Sequence, residues 1–259
     1  MRLLALDTST RRASAALVDD DRTIGVWSSD PLRAHAEQLP LGLLEMIERA
    51  DASGPSTGPG QVARVHDASG AGFASVDVFA VAVGPGSFTG LRIGIATIQG
   101  LAFVGGKRIV PVSVLEALAL AGRAASDPRA VTADLVVAAW MDAHRHEVFS
   151  ALYRCQAGIG GAAPAIVDAP DVGDPRAVLA RWQERGLRAD LYVGDGAILY
   201  RDALAADAVA ISPPPLGESI ARLALPKARA GETVDPAAVR PLYVRRPDVE
   251  MARDAHLAR

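Results

Sequence analysis

The sequence predicts an α/β protein made of two similar lobes, and three observations carry that expectation. The chain opens on apolar, strand-like runs and then alternates strands with helices. An apolar strand ending in Asp, then a short polar step and a second strand, occurs twice. A strand running into a G-x-G turn ahead of a helix also occurs twice, as AVGPG at residues 82–86 and YVGDG at residues 192–196. The 259 residues suffice for one large domain or two lobes sharing a core. Although 50% are apolar, only 5% are aromatic, so Ala, Val, Leu and Ile must fill that core.

Taken in order, residues 2–6 read as a buried strand closed by Asp7-Thr8-Ser9-Thr10. Residues 13–18 give a second strand, Asp19-Asp20-Asp21 a turn, and residues 23–28 a third strand. Residues 35–50 follow as a helix with Pro40 near its first turns. Leu39, Leu43, Met46, Ile47 and Ala50 share one side of it, whereas Leu41 and Leu44 fall on another arc. A surface helix needs only one apolar stripe, so this one either lies deep in its own domain or meets a second surface. Residues 53–72, rich in Gly, Ser, Pro and Ala without periodicity, are expected to be an exposed, mobile loop insertion.

Residues 76–83 read as a parallel-type strand broken by Gly84-Pro85-Gly86-Ser87. Residues 88–104 form a helix, 108–112 a strand and 113–123 a helix capped by Ser113. The second copy starts with the strand at residues 135–141, which ends in Asp142 as the first ends in Asp7. The polar steps TSTRR and AHRH follow, and Leu17 and Leu152 each lie ten residues beyond their aspartate. That repeated order is the layout of the actin-like (ASKHA) ATPase fold: two duplicated lobes with mixed sheets flanked by helices. The expected boundaries are 1–112 for the N-terminal lobe with its 53–72 insertion, 113–246 for the C-terminal lobe, and 247–259 for a charged tail.

Bulk properties exclude several functions. A net charge of -3 argues against a protein that coats nucleic acid, although one local contact patch is allowed. The single cysteine, Cys155, rules out an internal disulfide and a Cys-based zinc site. No run approaches the ~18 apolar residues of a membrane span, and MRLLALDTST reads as a strand rather than a signal peptide, so a cytoplasmic location is expected.

Four groups of residues could carry chemistry. Asp7 with Thr8 and Ser9 resembles the first phosphate loop of the ATPase fold, and Asp142 is its counterpart in the second lobe. Gly84, Gly86 and Ser87, with Gly194 and Gly196, form turns at helix N-termini, where free N–H groups and the helix dipole can receive an anion. Glycines after a strand also simply turn the chain, so the reading is a relic nucleotide cleft: no cofactor required, at most weak ATP or ADP binding. In the next helix Gly90 and Gly94 form a G-x-x-x-G spacing beside the stripe Leu91, Ile95, Ile98 and Ala102. Interior helical glycine costs about 1 kcal/mol against Ala, so a backbone must approach closely there, from this domain or from a partner. His144 and His146 could share a strand face as zinc ligands, but no third His or Cys stands nearby and no metal is expected. Ser87 lies in GPGSF rather than a G-x-S-x-G elbow, which disfavours a serine hydrolase.

MRLLALDTST, HAEQLP at residues 35–40, VAVGPGSFTGLRIGIATIQGLAF at 81–103, MDAHRHEVF at 141–149 and PLYVR at 241–245 occur in an order that resembles the TsaB (YeaZ) family. That family comprises the dimerisation subunits of the bacterial tRNA threonylcarbamoyladenosine transferase complex. The resemblance implies an actin-like fold, a heterodimer with the paralogous catalytic subunit TsaD, a third component TsaE, tRNA as substrate of the complex, and homodimers of the isolated chain. It also implies a partner surface on the helices at residues 35–50 and 88–104, here His35, Leu39, Leu43, Met46, Ile47, Gly90, Leu91, Gly94, Ile95, Ile98 and Ala102. TsaD is recognised by a metal-binding His-x-x-x-His, which this sequence lacks, so a non-catalytic activator is expected. An ATP-dependent small-molecule kinase is the alternative motivated by Asp7, Asp142 and the glycine turns; a metallo-glycoprotease is disfavoured by the missing histidine pair. The insertion at 53–72 is longer than usual for the family, and the tail after Arg246 is more charged.

Overall fold

The computed structural model describes residues 1–52, 71–126, 133–157, 162–242 and 244. Within them the expected duplication is present strand for strand. β1 (Arg2–Asp7), β2 (Ser14–Asp19), β3 (Arg22–Ser28), β4 (Val78–Gly84) and β5 (Arg108–Ser113) form one sheet in the order β3-β2-β1-β4-β5. β6 (Leu135–Asp142), β7 (Val148–Cys155), β8 (Ala165–Gly173), β9 (Leu191–Val193) and β10 (Ala210–Ile211) form the other, in the order β8-β7-β6-β9-β10. In each sheet the first strand is antiparallel to the second and parallel to the fourth. This duplicated mixed topology is the actin-like fold.

The chain divides into two compact units, switching at Val114/Leu115, two residues beyond the expected boundary, but with a return that was not expected. Residues Pro215–Arg240, assigned from sequence to the C-terminal lobe, return to the first unit. The reason is local: Ser14 Oγ accepts from the backbone N–H groups of Leu216 and Gly217, each at 3.0 Å, and so caps α7 (Gly217–Arg229) on the first sheet. A Cβ on Gly217 would meet the Ala15 carbonyl carbon at 2.7 Å, which fixes how closely that helix seats.

In the first unit, Leu4, Leu6, Leu17, Phe79 and Val81 meet α1 (His35–Ala52) and α3 (Phe88–Gly105) in one core cluster. α7 lies against β1, β2 and β5 and contributes nothing to that cluster, so it covers the opposite face. In the second unit, Trp140 of β6 packs on Trp182 of α5 (Pro175–Glu184), with ring centroids 6.0 Å apart, and meets Tyr192 edge-on at 5.5 Å. Asp168 clamps α5 to β8: it accepts from Trp182 Nε1 at 2.7 Å, from Arg181 at 3.0 Å and from Arg185.

Local expectations fare unevenly. The insertion at 53–72 falls outside the described residues except at its end, where Ala71–Ala74 form the short helix α2. The tail at 247–259 also lies outside them. Ser113 does not cap the helix that follows it, α4 (Val114–Ala125). It ends β5, and its hydroxyl is buried without a hydrogen-bond partner. Cys155 is buried at the end of β7, and desolvation pushes its thiol up to about 11.

Candidate functional site

In the first unit, the end of β1 is wedged against α3. Asp7 is buried, and its Oδ1 accepts from Ser9 N–H at 2.9 Å, closing a turn between residues 7 and 9. Burial pushes its carboxyl above the usual range against the hydrogen bond from Ser9 N–H. Ser87 N–H donates to the Ser9 carbonyl at 2.7 Å, and Ser87 Oγ caps α3 by accepting from Gly90 N–H at 3.2 Å. A Cβ on Gly90 would overlap the Thr8 carbonyl oxygen, and one on Gly94 would overlap Thr8 Oγ1. The G-x-x-x-G pair therefore answers an intramolecular contact. His35, at the start of α1, makes a ring-nitrogen hydrogen bond to the Thr10 carbonyl at 2.9 Å. The Thr8 and Ser9 hydroxyls and His35 Nδ1 are buried without partners among the described residues.

The second unit repeats the turn in another setting. Asp142 Oδ1 accepts from His144 N–H at 2.9 Å, the same i to i+2 bond as at Asp7. His144, Arg145 and His146 then take positive φ of 59°, 55° and 62° in succession, at an exposed hairpin tip. This corrects the expectation that His144 and His146 could share a strand face, because neither is in extended backbone. Such a left-handed run costs roughly 1–2 kcal/mol per residue. Gly194 (φ 129°) sits where a Cβ would overlap the Trp140 carbonyl, and Gly196 where one would meet Met141 C at 2.8 Å. Asp195 Oδ1 accepts from Asp142 N–H and Gly196 N–H at 3.0 and 2.9 Å. Burial raises the Asp195 carboxyl above its ordinary range, and neighbouring Asp142 adds to the rise.

The residues expected at a relic nucleotide cleft thus fall into two sets. Asp7, Thr8, Ser9 and Ser87 gather in the first unit; Asp142, Gly194 and Gly196 gather in the second, and Gly84 and Gly86 are grouped with it. In both sets helix N-terminal amides are already engaged, Gly90 by Ser87 and Gly196 by Asp195. The glycines serve close packing of strand against turn.

The partner-surface expectation needs a larger correction. Leu39, Leu43, Met46, Ile47, Leu91, Ile95, Ile98 and Ala102 are all at most 5% exposed, and most of them, with Ile95 and Ile98, build the first unit's own core. Gly90 and Gly94 face Thr8, and His35 is half-buried on Thr10. These positions hold the unit together and have no surface to offer. The exposed apolar residues of the same helices are others: Leu41 (62%), Phe88 (54%), Phe103 (79%) and Val104 (89%). Between them Ala96 and Gly100 are exposed, with nothing within 4 Å of a Cβ built on Gly100. Contrary to the expectation that no run approaches a membrane span, α3 is by length and composition apolar enough for one, with mean hydropathy 1.3, and 33% of it is buried. Leu41 was the signal in the sequence for this second face; Phe103 and Val104 lay at the helix end, where periodicity says little.

Comparison with known proteins places this arrangement. A solved structure from Pseudomonas aeruginosa, an uncharacterized protein with similarity to peptidase YEAZ, matches with a TM-score of 0.72 and 30% identity over 94% of this chain and 99% of that one. The chain belongs to the TsaB (YeaZ) family. The Escherichia coli tRNA threonylcarbamoyladenosine biosynthesis protein TsaB is 28% identical over 95% of both chains. Its Haemophilus influenzae namesake is 35% identical over 58% of this chain, a match spanning about half (52%) of that protein. A family model for TsaD, tRNA N6-adenosine threonylcarbamoyltransferase, matches residues 59–172, so TsaB-family features here sit on a framework similar to the transferase.

Proposed function

We propose that this chain acts in tRNA threonylcarbamoyladenosine biosynthesis as a non-catalytic partner that binds and activates a TsaD subunit. The observation that carries the reading is α3, an apolar helix whose inner face is filled by its own unit and whose outer face, Ala96, Gly100, Phe103 and Val104, is exposed among the described residues. Exposed apolar surface of this kind marks an interaction site. Membership of the TsaB family and the likeness to the TsaD family model support a partner built on the same fold. The absence of a His-x-x-x-His from the sequence supports a role without the metal chemistry of that partner. The resemblance extends the reading to TsaE as third component, to tRNA as substrate of the complex, and to pairing of two copies in the absence of TsaD.

The test is co-purification with TsaD. Phe103→Glu combined with Val104→Glu should abolish heterodimer formation while leaving the melting temperature near that of the native chain, because both side chains are exposed. Retained assembly in the folded double variant would refute this surface. Full-rate threonylcarbamoyl transfer by TsaD and TsaE in the absence of this chain would refute the activating role.

A further inference from the structure

The other end of α3 differs in chemistry from its apolar outer face. Phe88 is 54% exposed, and the Arg92 guanidinium lies over its ring at 3.8 Å from the centroid. The hydrogen bond from Ser87 N–H to the Ser9 carbonyl sets this pair beside the turn at residues 9–12, whose Arg11 and Arg12 are both exposed. That turn is held rigidly: Ser9 N–H donates to Asp7, Thr10 Oγ1 to the Arg12 carbonyl at 3.0 Å, and His35 bonds the Thr10 carbonyl. Among the described residues Arg11, Arg12 and Arg92 have no ion-pair partner, as is also true of Arg22, Arg222 and Arg240 in the same unit, but the first three stand at one corner beside an exposed aromatic ring. Asp7, which precedes the turn, is buried.

We infer that this corner binds a single-stranded stretch of RNA, with Arg11 and Arg12 on phosphates and the Phe88–Arg92 stack against an unpaired base. Guanidinium planes and aromatic rings are surfaces on which splayed bases stack, and arginine forks match phosphate oxygens. A carboxylate-bearing protein would use the arginines but would have no use for the exposed ring beneath Arg92, which favours RNA. The chain's net charge of -3 is no obstacle, since the contact is local. The inference rests on the tRNA reading above and assigns this chain a direct part in holding the substrate.

The test titrates an unmodified tRNA transcript against the complex of this chain with TsaD, by fluorescence anisotropy from about 50 to 200 mM salt. Arg11→Gln with Arg12→Gln should weaken binding and make the log–log salt slope shallower by about 1.4, roughly 0.7 for each lost single-strand phosphate contact. Phe88→Ala should leave the slope unchanged and weaken binding by about 5- to 150-fold, the range for one stacked base. Both variants should still assemble with TsaD at the native melting temperature. Unchanged RNA affinity in assembled variants overturns the inference and leaves the partner reading intact. Loss of assembly in either variant makes the corner a protein contact and also overturns it. A native chain that never assembles with TsaD fails the partner reading instead; the same titrations on the chain alone then decide the RNA contact.

Discussion

The glycine turn after β4 leads into α3 of the first unit, a helix of 18 residues; the one after β9 leads into Asp195–Leu199 of the second, a helix of 5. The strands before these turns match in order and direction, and both first strands end in an aspartate that accepts from the backbone N–H two residues on. The Asp7 turn is buried under α3, whereas the Asp142 turn opens into an exposed left-handed tip. One topology has therefore been put to two uses. The second unit closes on its own tryptophans and the Asp168 clamp. The first keeps an apolar helix whose outer face is open at one end and flanked by arginines at the other. The proposed partner contact is placed on α3 of the first unit, although the second unit also exposes apolar residues, among them Ile166, Ile198, Leu199 and Val209.

The largest expected effect separates the two faces of α3. Gly94→Val should cost about 3 kcal/mol or more, because the added carbons have nowhere to go but into Thr8. Gly100→Ala, on the same helix but in open space, should raise stability by up to about 1 kcal/mol. Chemical denaturation of both variants measures the contrast, and equal effects would break it.

Next comes the clamp of the second unit. Asp168→Ala strands Trp182 Nε1 in the core and unpairs Arg181 and Arg185, which are partly exposed. A loss of about 2 kcal/mol is expected, below the cost for a fully buried pair. A stability change within error would show that α5 is held by packing alone.

The two units should also respond to pH in opposite senses. Burial works to raise the Asp168 carboxyl, but hydrogen bonds from Trp182, Arg185 and Arg181 hold it below the usual range. Its contribution is present above the ordinary Asp value near 3.9 and is lost as pH falls through the lowered folded value. Asp7 is raised by burial, so its term is greatest below about 3.9 and is lost as pH rises through the raised folded value. Asp7→Asn keeps an acceptor for Ser9 N–H and should raise the melting temperature at neutral pH; Asp168→Asn should lower it and flatten the acid limb of the profile. Melting curves from pH 3 to 8 check both signs, and parallel profiles for the two variants would contradict the assignment.

Much of this molecule was legible before any coordinates. Strand–Asp–hairpin and strand–GxG–helix repeats are local patterns set by alternation, turn chemistry and backbone sterics, and they recover β1 to β6 within a residue or two at each end, whereas β8, β10, α5 and α7 were not anticipated. The aspartates that end β1 and β6 stood out by the same local rules. Periodicity, however, shows only that Leu43, Ile47, Ile95 and Ile98 must be hidden, without showing behind what. Tertiary packing decided that their cover is the chain's own sheet, that Gly90 and Gly94 answer Thr8, and that α7 returns to the first unit through Ser14. An apolar stripe is the same stripe whether it meets its own sheet or another protein. Only contacts between residues far apart in the chain distinguish the two, and they leave Phe103 and Val104 exposed.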